Sequence, residues 1–207
     1  MAKKTQLEEK ILQSAEELFM ENGYDATSTT DIAKRVGCNQ ALIHYYFRTK
    51  ENLFQQIFTN KFQLLLQFIR TEKEKKMDFW HALTQLIDNY FDMLSHHRKL
   101  PFFLMTELVM NEERRQTARM KISTNMEYLN YYAAWDQLVK EEVEKGNIRP
   151  IETMDLTLDV MSLVVFTFLS LPLYSDMFLQ NPEEIESFLV HRKEEIKTLI
   201  FNGLKKI

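Results

Sequence analysis

The stretch TSTTDIAKRVGCNQALIHYYFRTKENLF, Thr27 to Phe54, decides how the rest of the chain is read. Ser28 and Asp31 have capping-box spacing, with Asp in place of the usual Glu or Gln, so a helix opens there. Ile32, Ala33 and Val36 give it one apolar face. Gly37 supplies the left-handed conformation of a sharp turn, and Asn39 can cap the next helix. That second helix is short, about Asn39 to Tyr46. Ile43 and Phe47 are four apart and point inward, which leaves Gln40, Ala41, His44 and Tyr45 outward. A helix, a tight turn and a second helix is a unit that sets one helix into the major groove of DNA. A glutamine can pair with the edge of adenine and an alanine can touch a thymine methyl group. Histidine and tyrosine can donate to phosphate oxygens. Thr49 then caps a third helix with Lys50 in its first turn, an anion site suited to a DNA phosphate.

Upstream, Ile11, Leu12, Ala15, Leu18 and Phe19 predict a helix over about Thr5 to Asn22, stopped by Gly23. Downstream, Leu53, Phe54, Ile57, Phe58 and Phe62 carry the third helix of the module to about Arg70. Thr71 to Asp78 is a charged linker or frayed helix end. Phe79 to His96 is amphipathic. Pro101 starts a helix whose Phe102, Phe103, Leu104, Met105, Leu108, Val109 and Met110 are apolar nearly all round, so burial is expected. One long pattern follows from about Glu113 to Lys145 and ends at Gly146. Two apolar helices close the chain, at about 154–171 and 182–204. The second is capped by Asn181, with Pro182 in its first position and Glu183 and Glu184 facing the dipole.

Composition agrees with long helices. Gly and Pro number only four each in 207 residues, too few for many hairpins or a Gly-rich phosphate loop. The net charge is -4, yet the first fifty residues hold seven basic and seven acidic side chains, so the reading segment is neutral and the rest is acidic. Modest non-specific affinity and a salt-dependent specific one are expected. A single cysteine, Cys38, excludes an intrachain disulfide and fits a reducing compartment. The N-terminus lacks the apolar core of a signal peptide. The longest uncharged run, Val160 to Ser175, is shorter than the roughly 20 apolar residues of a membrane span, so no membrane is expected and the location is cytoplasmic.

Ile11-Leu12, Ala15, Leu18-Phe19, Gly23, Thr27-Ser28, Ile32-Ala33, Gly37, Ile43, Tyr46-Phe47, Lys50-Glu51 and Leu53 together resemble the TetR-family transcriptional regulators over about residues 4–64. The resemblance implies an all-α protein of about nine helices. Residues 1–50 are then the DNA-binding domain, with the helix-turn-helix at about 28–47, and residues 51–207 bind a ligand and dimerise. It implies a homodimer on a double-stranded palindromic operator, released when a small molecule binds; the two closing helices offer a two-fold pairing surface. By position, Gln40 and Ala41 fall where the family contacts bases, and Ser28, Thr29, His44, Tyr45 and Lys50 where it contacts phosphates. Cys38, Asn39, Leu42 and His44 depart from the family's usual residues, His44 standing where a Tyr is frequent.

The Phe- and Met-rich C-terminal part is read mostly as core, with Phe103, Trp135, Met161 and Phe166 as candidate lining of a pocket for a small apolar ligand. Adjacent His96 and His97 lack further ligands at metal spacing, so no metal and no cofactor are expected. No nucleophile–base pair or carboxylate arrangement has active-site logic, so the chain is not read as an enzyme. The functional expectation is a ligand-responsive transcriptional repressor whose third-module helix shifts on binding an apolar effector. The alternative is a helical small-molecule-binding or protein-interaction module that no longer reads DNA.

Overall fold

The computed structural model describes residues 5–68 and 78–206. Among them are ten helices and no strand: α1 Gln6–Ala26, α2 Thr29–Val36, α3 Gln40–Phe47, α4 Lys50–Phe68, α5 Phe79–His96, α6 Leu100–Met110, α7 Glu112–Thr124, α8 Met126–Glu144, α9 Thr153–Phe178 and α10 Pro182–Leu204. The chain forms two compact units, Met1–Leu64 with Phe103–Ala118, and Leu65–Phe102 with Arg119–Ile207. The unit that holds the helix-turn-helix therefore extends beyond residue 50, and includes the start of α4 and parts of α6 and α7.

The first unit is built on local signals. Thr5 caps α1 by accepting the Glu8 N–H. Gly23, at φ 80° and ψ 173°, kinks α1 before a last turn that runs to Ala26. Buried Thr27 ties the kink down, its hydroxyl donating to the carbonyls of Gly23 at 2.8 Å and Leu18 at 3.2 Å. The Ser28–Asp31 capping box is complete, with both side chains bonded to the other's backbone N–H. Gly37 ends α2 in the left-handed region at φ 76°. Asn39 Oδ1 accepts the Ala41 N–H, and Thr49 Oγ1 accepts the Asn52 N–H at the start of α4. Ile11, Phe19, Ile32, Ile43, Leu53, Phe54 and Phe58 are buried as its core.

In the second unit α5, α8, α9 and α10 pack on one another. Leu83, Ile87, Phe91, Val139, Val160, Val164, Phe168, Leu189 and Ile196 fill its interior. Lys193 and Lys197 of α10 bind Asp92 and Asp88 of α5 at 2.8 and 2.6 Å. The segment Thr71 to Asp78 lies outside the described residues except Asp78, whose carboxylate caps α5 by accepting the His81 N–H.

Three expectations change. The long pattern from Glu113 to Lys145 is two helices, because Asn125 leaves helical geometry at φ -86° and ψ 89° and caps α8 through the Tyr128 N–H. That break accounts for ten helices against the expected nine. Helix α6 is not buried all round: Phe103 and Leu104 are covered, whereas Phe102, Val109 and Met110 are exposed at 67%, 63% and 80%. An all-apolar sequence shows no period from which to tell a packed face from an open one. Helix α9 does not stop near Leu171 but continues through Pro172 to Phe178. Proline removes one backbone donor; here the hydroxyls of Ser170 and Ser175 donate to the nearby carbonyls of Phe166 and Leu171 at 2.7 and 2.8 Å. By length and composition α9 is apolar enough to cross a membrane; Leu156, Val160, Val164, Phe168 and Leu171 are buried within the second unit.

A residue with a Cβ at position 37 would sit in the left-handed region at a cost of about 1 kcal/mol. Nothing lies within 4 Å of that Cβ, so the cost is conformational and not steric. Gly37→Ala is expected to lower the unfolding free energy by that amount without changing helix content, as read by circular dichroism during denaturant unfolding.

Candidate nucleic-acid interface

Helix α3 presents Gln40, Ala41, His44 and Tyr45 to solvent, opposite buried Ile43 and Phe47. Tyr45 is 67% exposed and rests edge-on against Tyr46, with ring centroids 5.2 Å apart. Tyr46 in turn accepts from the Thr5 hydroxyl, tying α3 to the start of α1. The face is therefore polar and held from behind.

Gln40 is not a free side chain. Its Nε2 donates to Thr29 Oγ1 at 2.8 Å. An amide carries two N–H donors and one carbonyl oxygen. With one N–H on Thr29, the other N–H and Oε1 remain, the pair that a bidentate contact with adenine needs. Thr29 thus holds Gln40 in place from α2. Ser28 is likewise occupied: its hydroxyl and backbone N–H both bond Asp31, which holds the Asp31 carboxyl below the usual range.

The neutral charge of this region hides an uneven distribution. Arg35 is bound to Glu17 at 2.9 Å and Glu21 at 3.2 Å, and Lys61 is bound to Glu16. These pairs fasten α2 and α4 to α1. Lys34 and Arg48 hold no ion pair among the described residues. Lys50 has its ammonium 4.1 Å above the Tyr24 ring, a cation–π contact that fixes it at the start of α4.

Beneath Lys50 lies a cluster that sequence reading missed. Arg114 of α7 is only 2% exposed. Its Nη1 is 2.9 Å from Glu51 Oε1, and its Nε is 2.7 Å from Glu107 Oε2 of α6. The guanidinium lies over Phe54 at 4.3 Å and near Tyr24 at 5.4 Å. Gln55 donates to Thr117 one turn further along. Burial and a hydrogen bond to Glu51 push the Tyr24 phenol up to about 12, so it remains a donor. Burial also raises the Glu107 carboxyl, against the pull of Arg114. The first turn of α4, which carries Lys50, is thus gripped by α6 and α7 within the first unit. Arg114 and Glu51 are 63 residues apart, so no periodicity or motif could have paired them.

The four candidate pocket residues are not brought together within either unit. Phe103 belongs to the first unit and packs on Phe54. Trp135 stacks on Phe79 and donates from its indole N–H to Thr157 at 3.1 Å, the setting of a core residue. Met161 is half-buried, and Phe166 is 66% exposed on α9. Periodicity marked these positions as apolar but carried no information about which neighbour covers each.

A capped helix-turn-helix with a polar, buttressed second helix, followed by a larger helical part, defines a helix-turn-helix transcriptional regulator. Residues 11–57 match the profile of the bacterial regulatory proteins of the tetR family. The probable HTH-type transcriptional regulator YttP of Bacillus subtilis is 29% identical over 95% of this chain and 93% of its own length. The HTH-type transcriptional regulator QacR of Staphylococcus aureus is 49% identical over 51 residues, covering 25% of this chain and 27% of its own. The crystal structure of the regulator FadR of Bacillus subtilis in complex with stearoyl-CoA has the same fold, with a TM-score of 0.63 and 20% identity over 95% of this chain and 98% of that one. The family match rests on residues 11–57, which carry the helix-turn-helix of the bacterial regulatory proteins of the tetR family.

Arg114→Ala removes the cation from a mostly buried carboxylate, Glu107, which is 15% exposed. Breaking such a pair costs about 3 kcal/mol, whereas Arg35→Ala breaks exposed pairs worth at most about 1 kcal/mol. Denaturant unfolding of the two variants side by side is expected to show that order.

Proposed function

We propose that the chain is a repressor that binds a palindromic operator as a homodimer and leaves it when a small apolar molecule binds residues 51–207. The observation that carries the reading is the α3 face: four exposed side chains with groove chemistry, with Gln40 held from behind by Thr29. In this reading Gln40 and Ala41 meet bases. Tyr45, His44 and Lys50 meet phosphates, while Ser28 and Thr29 support them from the start of α2. Residues 1–50 do the reading, and the rest supplies dimerisation and the effector response. The protein works in the cytoplasm, where the DNA is.

The last two helices supply the dimer surface. Met154, Leu158, Phe166, Leu173 and Met177 fall on one stripe of α9 and are exposed in the single chain, as are Val190 and Leu199 on α10. Such a stripe is the kind of surface that an isologous pair covers. The effector acts by moving α4. Any displacement of α6 or α7 acts on Glu51 through Arg114, and Lys50 is the adjoining residue. For the effector class, the relative solved with stearoyl-CoA favours a long acyl chain, consistent with the apolar composition of the second unit.

Purified dimer is expected to retain the DNA upstream of its own gene in a salt-dependent manner and to release it when stearoyl-CoA is added. A folded dimer that retains no palindromic fragment at any salt concentration would sink the DNA reading; retention unaffected by any acyl-CoA would remove only the effector class. Lys50→Ala is expected to weaken binding equally across sequences and to reduce the salt slope by about one for each head. Gln40→Ala instead relaxes preference at one base position, which competition with single-base operator variants will read.

A further inference from the structure

We propose that operator binding takes up a proton at His44, so that this regulator holds DNA more tightly as the pH falls. The inference rests on the DNA reading above and concerns a property that α3 adds to it.

His44 and Arg48 clasp each other across the end of α3. The Arg48 N–H donates to the His44 carbonyl at 3.0 Å, and His44 Nδ1 lies 3.1 Å from the Arg48 carbonyl oxygen. Arg48 is the one non-glycine residue with positive φ among those described, at 69°. A carbonyl oxygen only accepts, so Nδ1 must carry the proton that joins the two. The clasp therefore selects the tautomer. In a neutral ring with Nδ1 protonated, Nε2 is a bare lone pair. Phosphate oxygens are also acceptors only, and a bare Nε2 facing one is repelled. His44 can donate to phosphate from Nε2 only as the imidazolium, with both nitrogens protonated. A tyrosine at this position would donate without taking up a proton.

The surroundings leave this choice to solvent and DNA. The ring is exposed and, among the described residues, makes no hydrogen bond or ion pair other than that with the Arg48 carbonyl. The charged groups of α2, which packs on α3, are otherwise occupied or free of it: Asp31 is turned back on Ser28, Arg35 is bound to Glu17 and Glu21, and Lys34 is unpaired. The first turn of α1, joined to α3 through Thr5 and Tyr46, carries Glu8 and Glu9, and neither bonds the ring. On the chain just beyond, the Lys50 ammonium sits over Tyr24. Among the described residues no carboxylate bonds the ring, so a DNA phosphate is the acceptor left for an Nε2–H. Bound DNA therefore raises the ring's proton affinity, and the gain is full at low pH and is lost as pH rises through the bound-state value.

The test is operator affinity, by fluorescence anisotropy at fixed ionic strength, from pH 5.5 to 8.5, for the wild type, His44→Tyr and His44→Gln. Wild-type affinity is expected to fall with rising pH by about tenfold for each head, which corresponds to a phosphate that raises the proton affinity of each histidine about tenfold. His44→Tyr is expected to bind with a nearly flat profile, and His44→Gln to bind more weakly and also flat. A flat wild-type profile overturns the proposal while leaving DNA binding intact. Affinity that rises with pH also overturns it, and would place a neutral Nε2 against a base amino group. A histidine that merely closes the clasp would lower the thermal stability of both variants and leave the pH slope unchanged. Absence of operator binding at every pH overturns the DNA reading and this inference with it.

Discussion

Arg114 is the constraint on which the reading head depends. A guanidinium excluded from water costs several kcal/mol unless its donors and charge are matched. Here the match comes from three places at once: Glu51 on α4, Glu107 on α6, and the faces of Tyr24 and Phe54. None of the three alone would hold it. The first turn of α4 cannot leave α7 without exposing an unmatched charge, so α4, α6 and α7 share one register within the first unit. Lys50 belongs to that same turn, and its ammonium rests on the Tyr24 ring as well. Lys50, proposed above to meet a phosphate, and Arg114 of α7 are therefore linked through one aromatic ring and one carboxylate.

Electrostatics inside the head explains how a neutral segment can present cations. Glu16, Glu17 and Glu21 lie on α1 and are turned to Lys61 and Arg35, where they bind α4 and α2. Asp31 is folded back onto Ser28. Those carboxylates serve internal fastening and oppose DNA less than the charge sum suggests. The two cations they bind are engaged as well; among the described residues of the first fifty, Lys10, Lys34, Arg48 and Lys50 carry no ion pair. Net charge reports solubility and long-range steering better than it reports a reading face.

What was legible in the sequence is what local chemistry determines. Ser28 with Asp31, Gly37, Asn39, Thr49 and Asn181 with Pro182 are each fixed within four residues, and each performs its expected part. The outward set of α3 follows from a 3.6-residue period and two buried neighbours. What was not legible depends on distant partners. Thr29 sits where a phosphate contact is expected, and the bond from Gln40 eleven residues away gives it a holding part. Arg114 lies in a charged run, NEERRQ, that resembles a solvated face; burial is conferred by residues some sixty positions earlier. Asn125 caps a new helix because its amide accepts the Tyr128 N–H, whereas Pro172 lies inside α9 without ending it. The four pocket candidates rest on apolar character, which is local, whereas a cavity is a property of packing.

The scarcity of free cations in the head has a consequence for the dimer. A module with few unpaired basic side chains among its described residues gains little counterion release on its own. On the proposed function, two linked heads make the second contact effectively intramolecular, which raises affinity well beyond that of one head. The apolar stripe of α9 then matters for DNA affinity as much as the reading helix does, although no residue of that stripe touches DNA. It also follows that repression need not be lifted by damaging the α3 face. On the same proposal it is enough to spoil the geometry of one head relative to its partner, because one head releases fewer counterions than two. A neutral reading domain is in that sense suited to a switch: it makes binding depend on both heads, and so on whatever holds the first turn of α4 in place.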